Sequence, residues 1–141
     1  MKKTIGSTIS VVFAFVLVFC FISCNTVDNT GVWENATYLE DMEFGKGAKT
    51  VAVEVSAGEQ SVTFTIHTDK ATVGDALLEH GLIAGDQGDY GLYLKVVNGI
   101  TADYDVDQSY WAFYINGEYA MTGVDSTEIA EGVAYKLEYT K

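Results

Sequence analysis

The chain has 141 residues, with fourteen glycines, nine tyrosines and no proline, and its formal net charge at pH 7 is −12. All eight basic residues are lysines, so the chain lacks the arginine fork that grips phosphate groups, and its excess of acids repels a phosphate backbone. This composition argues against nucleic acid as a partner. The length allows one domain with short extensions, and the many Tyr, Val, Thr and Gly residues favour a strand-rich domain.

The first residues predict export from the cytoplasm. Two lysines precede an unbroken apolar run over residues 11–22, which is short for a membrane-spanning helix and typical of a signal peptide. The sequence FISC at residues 21–24 resembles a bacterial lipobox, in which signal peptidase cuts before the cysteine and the cysteine thiol carries diacylglycerol. We therefore expect a lipoprotein signal peptide over residues 1–23 and lipidation of Cys24. An uncleaved anchor and simple secretion are the alternatives.

A lipid anchor would hold the mature chain on the membrane, at the extracytoplasmic side of the bacterial cell envelope. Cys24 would then be its only cysteine, so we expect no disulfide and a fold that rests on its hydrophobic core. Residues 24–32 are polar and without periodicity, which predicts a tether. Residues 33–48 mix aromatic and acidic side chains and predict an irregular entry segment with a short edge strand.

A β-hairpin and a helix are predicted next. Residues 51–56 and 62–67 each alternate apolar and polar side chains, which is the pattern of strands with one buried face. Thr72 is a good helix N-cap, residues 73–80 place an apolar face on one side of a helix, and Gly81 is typical of the position just beyond a helix end. We expect two to three helical turns that pack on the hairpin.

The stretch around Trp111 predicts the central strand. Trp111, Phe113 and Ile115 alternate with Ala112 and Tyr114, so the first three should face the core and the other two the opposite side. The Asn-Gly pair that follows favours a type I′ turn, because both residues readily adopt positive φ. The chain should then fold straight back along the strand.

The remaining segments complete the predicted order. Residues 85–89 are rich in Gly and Asp and predict a loop, residues 92–97 alternate as a strand, and residues 100–109 predict a polar connection. Asp125 is expected to cap one helical turn, and residues 135–140 predict a last strand. The order strand, strand, helix, strand, strand, short turn, strand predicts the α+β class, specifically a β-grasp (ubiquitin-like) mixed sheet with one helix packed on one face.

Four motifs together resemble a known family. They are Gly91 with Tyr93, the run YWAFYINGE at residues 110–118, the Gly-Val-Asp at residues 123–125, and the final Tyr139-Thr140. On this basis residues 49–141 are similar to the transcobalamin-like C-terminal domain. That family is a widespread bacterial domain of uncharacterised function, similar to the β-domain of the animal cobalamin carriers intrinsic factor and transcobalamin.

The resemblance implies a binding function. In the animal carriers the β-domain closes over one side of the corrin ring, and an α/α barrel holds the other side. The implied ligand is therefore cobalamin, and the implied partner is a second cobalamin-binding or transporter protein, because 141 residues leave no room for the barrel. A surface adhesion module that recognises protein or polysaccharide is the alternative function.

Side chains on strand faces and turn flanks are the candidate ligand-binding residues. Exposed Tyr and Trp are enriched in binding surfaces, because they offer a large apolar ring together with a polar group. Packing within the sheet is the alternative interpretation of the same rings. The candidates are Tyr93, Trp111, Tyr114, Asn116 and Tyr119.

Catalysis and metal binding have weaker signals. Asp103, Asp105 and Asp107 have the spacing that opens a calcium loop, but an EF-hand needs Gly where Gln108 stands and Glu where Tyr114 stands. A weak calcium site is therefore the alternative to a solvated acidic loop. We expect that the protein is not an enzyme, because the mature chain has two histidines without a signature motif and no free cysteine.

Overall fold

The computed structural model describes residues 31–141. The predicted signal peptide over residues 1–23, the predicted lipidation at Cys24 and all but the end of the predicted tether over residues 24–32 lie outside the described residues. None of the helices within residues 31–141 is both long enough and apolar enough to cross a membrane.

Nine strands and two short α-helices follow one another along residues 31–141, with a 3-10 turn before the first strand and another before the last. In chain order these are a 3-10 turn at Val32–Asn35, β1 Met42–Gly45, β2 Lys49–Ala57, β3 Gln60–Thr68, α1 Val73–Glu79, β4 Ile83–Gly88, β5 Gly91–Val97, β6 Ile100–Thr101, α2 Tyr104–Asp107, β7 Tyr110–Ile115, β8 Glu118–Tyr119, a 3-10 turn at Val124–Ser126 and β9 Ala134–Thr140.

The strands form two sheets. The larger sheet has the order β1-β3-β2-β9-β7-β8, with β2 parallel to β9, β1 parallel to β3, and the other neighbours antiparallel. The smaller sheet has the order β4-β5-β6 and is antiparallel. This arrangement confirms the α+β class with one main helix. The prediction of a single sheet is wrong, because β5 pairs with β4 and β6 rather than with the larger sheet.

Strand β4 replaces part of the loop that was predicted over residues 85–89. Its Gly and Asp content is typical of turns, but pairing with β5 overrides this local preference. A bulge lies between Ala84 and Gly85, and a Cβ atom on Gly85 would stand 2.0 Å from the Tyr93 carbonyl oxygen. Glycine is therefore required there by close backbone approach, not by a turn.

The core lies between the larger sheet and the elements that cover it. The predicted apolar face of the β2–β3 hairpin is present, and the face of α1 formed by Val73, Ala76 and Leu77 is buried in the same cluster. The predicted start of the helix is confirmed, since the Asp75 backbone N–H donates to Thr72 Oγ1 at 3.1 Å. Gly81 follows the helix with φ +65°, as expected of a residue that ends a helix.

The segment 33–48 carries one deeply buried side chain. Trp33 is buried, and its indole N–H donates to the Ala57 carbonyl at 2.7 Å. The same segment supplies the short edge strand β1, whose Phe44 ring packs edge-on against Phe64 with ring centres 5.6 Å apart. The entry segment therefore contributes Trp33 to the core and packs Phe44 against it.

Strand β7 largely follows its predicted faces. Trp111 and Phe113 are only 7% and 8% exposed, and Tyr114 is half-buried. Ala112, predicted on the polar side, is also buried, so the two faces differ less than the alternation suggested. The following turn has φ values of 49° at Asn116 and 81° at Gly117, which is the positive pair that a type I′ turn requires.

Replacing Trp111 with Ala should lower the free energy of unfolding by about 3–5 kcal/mol, as for a buried large aromatic ring. The Tyr114→Ala variant should lose clearly less, because Tyr114 is only half-buried. Denaturant melts of both variants measure the difference. A larger loss in Tyr114→Ala than in Trp111→Ala would contradict the assignment of Trp111 to the core face.

Replacing Gly117 with Val should destabilise the protein by more than about 1 kcal/mol, because a β-branched residue is strained at positive φ. Gly88→Val is the matched control, since Gly88 is exposed at the end of β4 and is not among the glycines with positive φ. Thermal melts compare the two variants. Equal melting temperatures would show that the conformation at Gly117 tolerates a side chain.

Candidate functional site

A cavity of about 280 Å³ opens between the two sheets. We call it the aromatic groove and define it by its lining residues, which come from β5, from β7, from β8 and from the segment that follows β8. They are Leu92, Tyr93, Leu94, Tyr110, Trp111, Phe113, Tyr119, Ala120, Thr122, Gly123 and Val124. Two wider depressions, of about 540 and 460 Å³, have no aromatic side chain in their lining.

The floor of the groove consists of aromatic rings that are held in place. Trp111 packs edge-on against Tyr139 with ring centres 5.7 Å apart, and its indole N–H donates to the Ile100 carbonyl at 3.3 Å. Phe113 stacks on Tyr135 with ring centres 6.1 Å apart. Fixed rings lose little conformational freedom when a ligand covers them, so this floor is preorganised for contact.

One wall of the groove depends on Asp125. The predicted capping role of Asp125 is wrong, because no side chain caps the 3-10 turn that contains it. Its Oδ2 atom instead accepts the Leu92 backbone N–H at 2.9 Å, which ties this turn to β5. Gly91 has φ +104°, and a Cβ there would lie 2.6 Å from Asp125 Oδ2, so a glycine is needed for the carboxylate to reach β5.

Tyrosines with exposed rings form the rim. Tyr93 is 48% exposed and Tyr119 is 60% exposed. The Lys95 ammonium lies 5.9 Å from the centre of the Tyr93 ring and 2.8 Å from Asp86 Oδ2. The hydrogen bond from Lys95 to Asp86 raises the pKa of this lysine above its ordinary value. At the rim, the exposed Tyr93 ring therefore lies beside the Lys95 ammonium, which already forms an ion pair with Asp86.

The five candidate ligand residues separate into two groups. Tyr93, Trp111 and Tyr119 line the groove. Tyr114 does not line it but contacts Tyr119 edge-on, with ring centres 5.6 Å apart. Asn116 is exposed in the β7–β8 turn, where its Oδ1 accepts the backbone N–H of the first residue of β9 at 3.0 Å. A role of these residues in ligand binding stays a prediction.

Sequence reasoning missed the aliphatic part of the lining. In the sequence, Leu92, Leu94 and Val124 look like ordinary core residues. Alternation of apolar and polar side chains predicts which residues are buried, but it does not indicate where one sheet ends. Gly91 and Asp125 belong to the quoted motifs, but the hydrogen bond from the Leu92 amide to Asp125, 33 residues farther along the chain, has no local signal. Only the packing of β5 beside β7 brings these side chains to one groove.

The acids of the suggested calcium loop have protein partners. The Asp103 carboxylate accepts the Asp105 backbone N–H at 3.1 Å, which caps α2. Asp107 accepts the Ser109 backbone N–H at 3.1 Å and the Ser109 hydroxyl, and Lys141 Nζ lies 3.3 Å away. The Ser109 hydroxyl lowers the pKa of Asp107 below its ordinary value. Within residues 31–141 no three His, Cys, Asp or Glu side chains are placed to hold one metal ion.

The two histidines lie apart from the groove. His67 Nε2 is 2.5 Å from Glu43 Oε1, and its Nδ1 is 3.1 Å from Thr50 Oγ1 on the polar side of the larger sheet. His80 stacks on Phe44 with ring centres 5.4 Å apart. These partners give both rings a structural role, and neither ring lines the aromatic groove.

Comparisons with known proteins place the chain among relatives. A family described as "Domain of unknown function (DUF4430)" matches residues 70–141. A search of characterised proteins found no significant match. A crystal structure from Ruminococcus gnavus ATCC 29149, of a protein described as a candidate metal-binding protein, is 33% identical with a TM-score of 0.62. That match covers 67% of this chain and 98% of the other.

A second solved structure is haptocorrin in complex with cobinamide. It is 18% identical with a TM-score of 0.48, and the match covers 70% of this chain and 26% of haptocorrin.

Proposed function

Because the chain belongs to the DUF4430 family, whose description assigns no activity, we propose its function from the aromatic groove. We propose a non-enzymatic binding module that is anchored by lipid at the extracytoplasmic side of the bacterial cell envelope. The groove receives the ligand, with Trp111 and Phe113 beneath it and Tyr93 and Tyr119 at its rim. The observation that carries this proposal is the set of fixed rings that face a cavity open to solvent.

The ligand we propose is a corrinoid, of which this chain covers one side. The motifs shared with the transcobalamin-like domain suggest the ligand class. A cavity of about 280 Å³ lies just below the usual range of small-molecule sites, roughly 300–1,000 Å³, and such sites bury most of the ligand surface. A second protein would therefore complete the site. The Ruminococcus gnavus relative is described as a candidate metal-binding protein, but within residues 31–141 of this chain no three His, Cys, Asp or Glu side chains are placed to hold one metal ion.

The β-grasp assignment is part of the same proposal. The order β3-β2-β9-β7 in the larger sheet supports it. In this order the last strand, β9, pairs in parallel with β2, which is the first strand of the β2–β3 hairpin. The position of α1 on the buried face of that hairpin also supports it. In this arrangement β5 and β7 lie beside each other at one end of the core, where the groove opens.

A surface module that recognises protein or polysaccharide is the second candidate function. One observation favours recognition of a protein over a polysaccharide. Part of the β7 edge lies inside the groove, and no strand of residues 31–141 pairs with it. A free strand edge can bind an extended polypeptide through backbone hydrogen bonds.

The anchor proposal rests on the lipobox resemblance at residues 21–24. Replacing Cys24 with Ala should abolish lipidation, because the thiol that carries the lipid is lost. Metabolic labelling with a palmitate analogue, followed by fractionation of the cells, measures the effect, and Cys20→Ala is the matched control. Equal labelling of the wild type and the Cys24→Ala variant would rule out lipidation at this residue.

The corrinoid proposal predicts weak binding of cobalamin or cobinamide by this chain alone and much tighter binding beside a second, enclosing protein. Calorimetry with both corrinoids, with and without candidate transporter or barrel proteins, measures the affinities. Tyr93→Ala should weaken binding, whereas Tyr90→Ala should not, because Tyr90 is fully exposed and does not line the groove. If calorimetry detects no binding heat in any combination, and the chain binds a protein or glycan, the corrinoid proposal is wrong and the second candidate function is favoured.

A further inference from the structure

One edge of β7 is only partly paired. On the side away from β9, β8 pairs with Tyr114 and Ile115, and the Ala120 backbone N–H donates to the Phe113 carbonyl at 2.9 Å. Backbone groups of alternate residues in a strand point to the same side. The N–H and C=O of Trp111 therefore point the same way as those of Phe113, and no strand within residues 31–141 pairs with them.

Strand β5 presents a second open edge to the same groove. On the side away from β4, β6 pairs with Val96 and Val97, and the Ala102 backbone N–H donates to the Lys95 carbonyl at 2.8 Å. Farther along this side, Asp125 accepts the Leu92 N–H. Leu94 lies two residues after Leu92, and the register shift of this hairpin follows it, so its N–H points to the same side as that of Leu92. Trp111 and Leu94 both line the aromatic groove, which is thus bordered by two strand edges.

The occupant of such a groove needs two properties. It must offer backbone-like donors and acceptors to the strand edges, and it must place apolar side chains on the rings of Trp111 and Phe113. An extended peptide has both, because successive side chains alternate sides while its amides pair with an edge strand. Open edges are usually protected in native proteins, so an edge left open inside an aromatic groove is consistent with use as a binding site.

The charge of the domain selects among peptides. After residue 23 the chain has twenty acids and six lysines. Close to the groove, Glu118 is exposed on β8, Asp125 adjoins the lining residue Val124, and the nearby Lys95 is paired with Asp86. A basic segment would be attracted to this surface and an acidic one repelled.

We propose that the aromatic groove binds an extended, lysine- or arginine-containing segment of a partner protein. The segment pairs with the Trp111 edge of β7 and lays an apolar side chain on the floor between Trp111 and Phe113. This inference rests on the proposed function, in that the groove is the binding site, but it does not depend on a corrinoid.

The test uses the full chain in detergent micelles, labelled with nitrogen-15, and a pool of end-blocked hexapeptides in which Lys alternates with Val, Leu or Tyr. We expect saturable binding, with slower hydrogen exchange at the Trp111 and Leu94 amides. The same pool with every second backbone amide N-methylated keeps charge and side chains but loses donors. It should bind at least about tenfold more weakly, as the loss of one or two net hydrogen bonds implies.

Two variants locate the binding. Thr122→Trp places a bulky ring at an exposed lining position and should weaken peptide binding by at least about tenfold. Tyr90→Ala, outside the groove, should leave it unchanged. Hydrogen exchange across the rest of the chain verifies that both variants are folded. Equal binding of the N-methylated pool, or binding that Thr122→Trp does not affect, would overturn the proposal.

The remaining outcomes separate this inference from the proposed function. Corrinoid binding at the groove without binding of any peptide in the pool would retain the proposed function and overturn strand addition. Absence of both, with no ligand found for the groove, would count against both. Without peptide, the Trp111 amide could become more protected from hydrogen exchange as the protein concentration rises, with dimers in sedimentation. That result would identify a second copy of the chain as the occupant and would also overturn the proposal.

Discussion

The parallel pairing of β2 with β9 is the constraint on which the rest of the structure depends. It aligns Val53 with Tyr135 and Val55 with Leu137 at the centre of the larger sheet, and all four side chains are buried. The pair joins the first hairpin to the last strand, and β7 attaches only on the far side of β9. Contacts between such distant parts of a chain have a high cost in loop entropy, which the burial of apolar side chains must offset.

Strand β9 also determines the shape of the groove. Its register with β7 pairs Trp111 with Tyr139 and Phe113 with Leu137, which keeps the two floor rings against the core. Because β8 is only two residues long and β5 belongs to the other sheet, neither sheet continues across the space between β5 and β7. The groove is therefore the junction between two sheets. Strand β7 borders this junction and supplies both a partly unpaired backbone edge and the two aromatic rings of the floor.

Local rules predicted the features that depend on neighbours in sequence. The alternation in β2 and β3, the Thr72 N-cap and the positive φ values at Asn116 and Gly117 agree with expectation. Each of these depends on a few consecutive residues, so composition and spacing suffice. Asp125 shows the opposite case, because its hydrogen bond to the Leu92 amide competes with a capping role that looked equally reasonable from its local sequence.

The sequence by itself determined the class of the fold, the residues of the main hairpin and helix, and three of the residues that line the groove. Only the tertiary structure decided that β5 leaves the larger sheet, that Trp33 belongs to the core, and that Leu92, Leu94 and Val124 meet Trp111. The physical reason is that a period-two pattern states which side chains are buried but not which strand lies beside them. That choice depends on the competition among distant partners for the same buried surface.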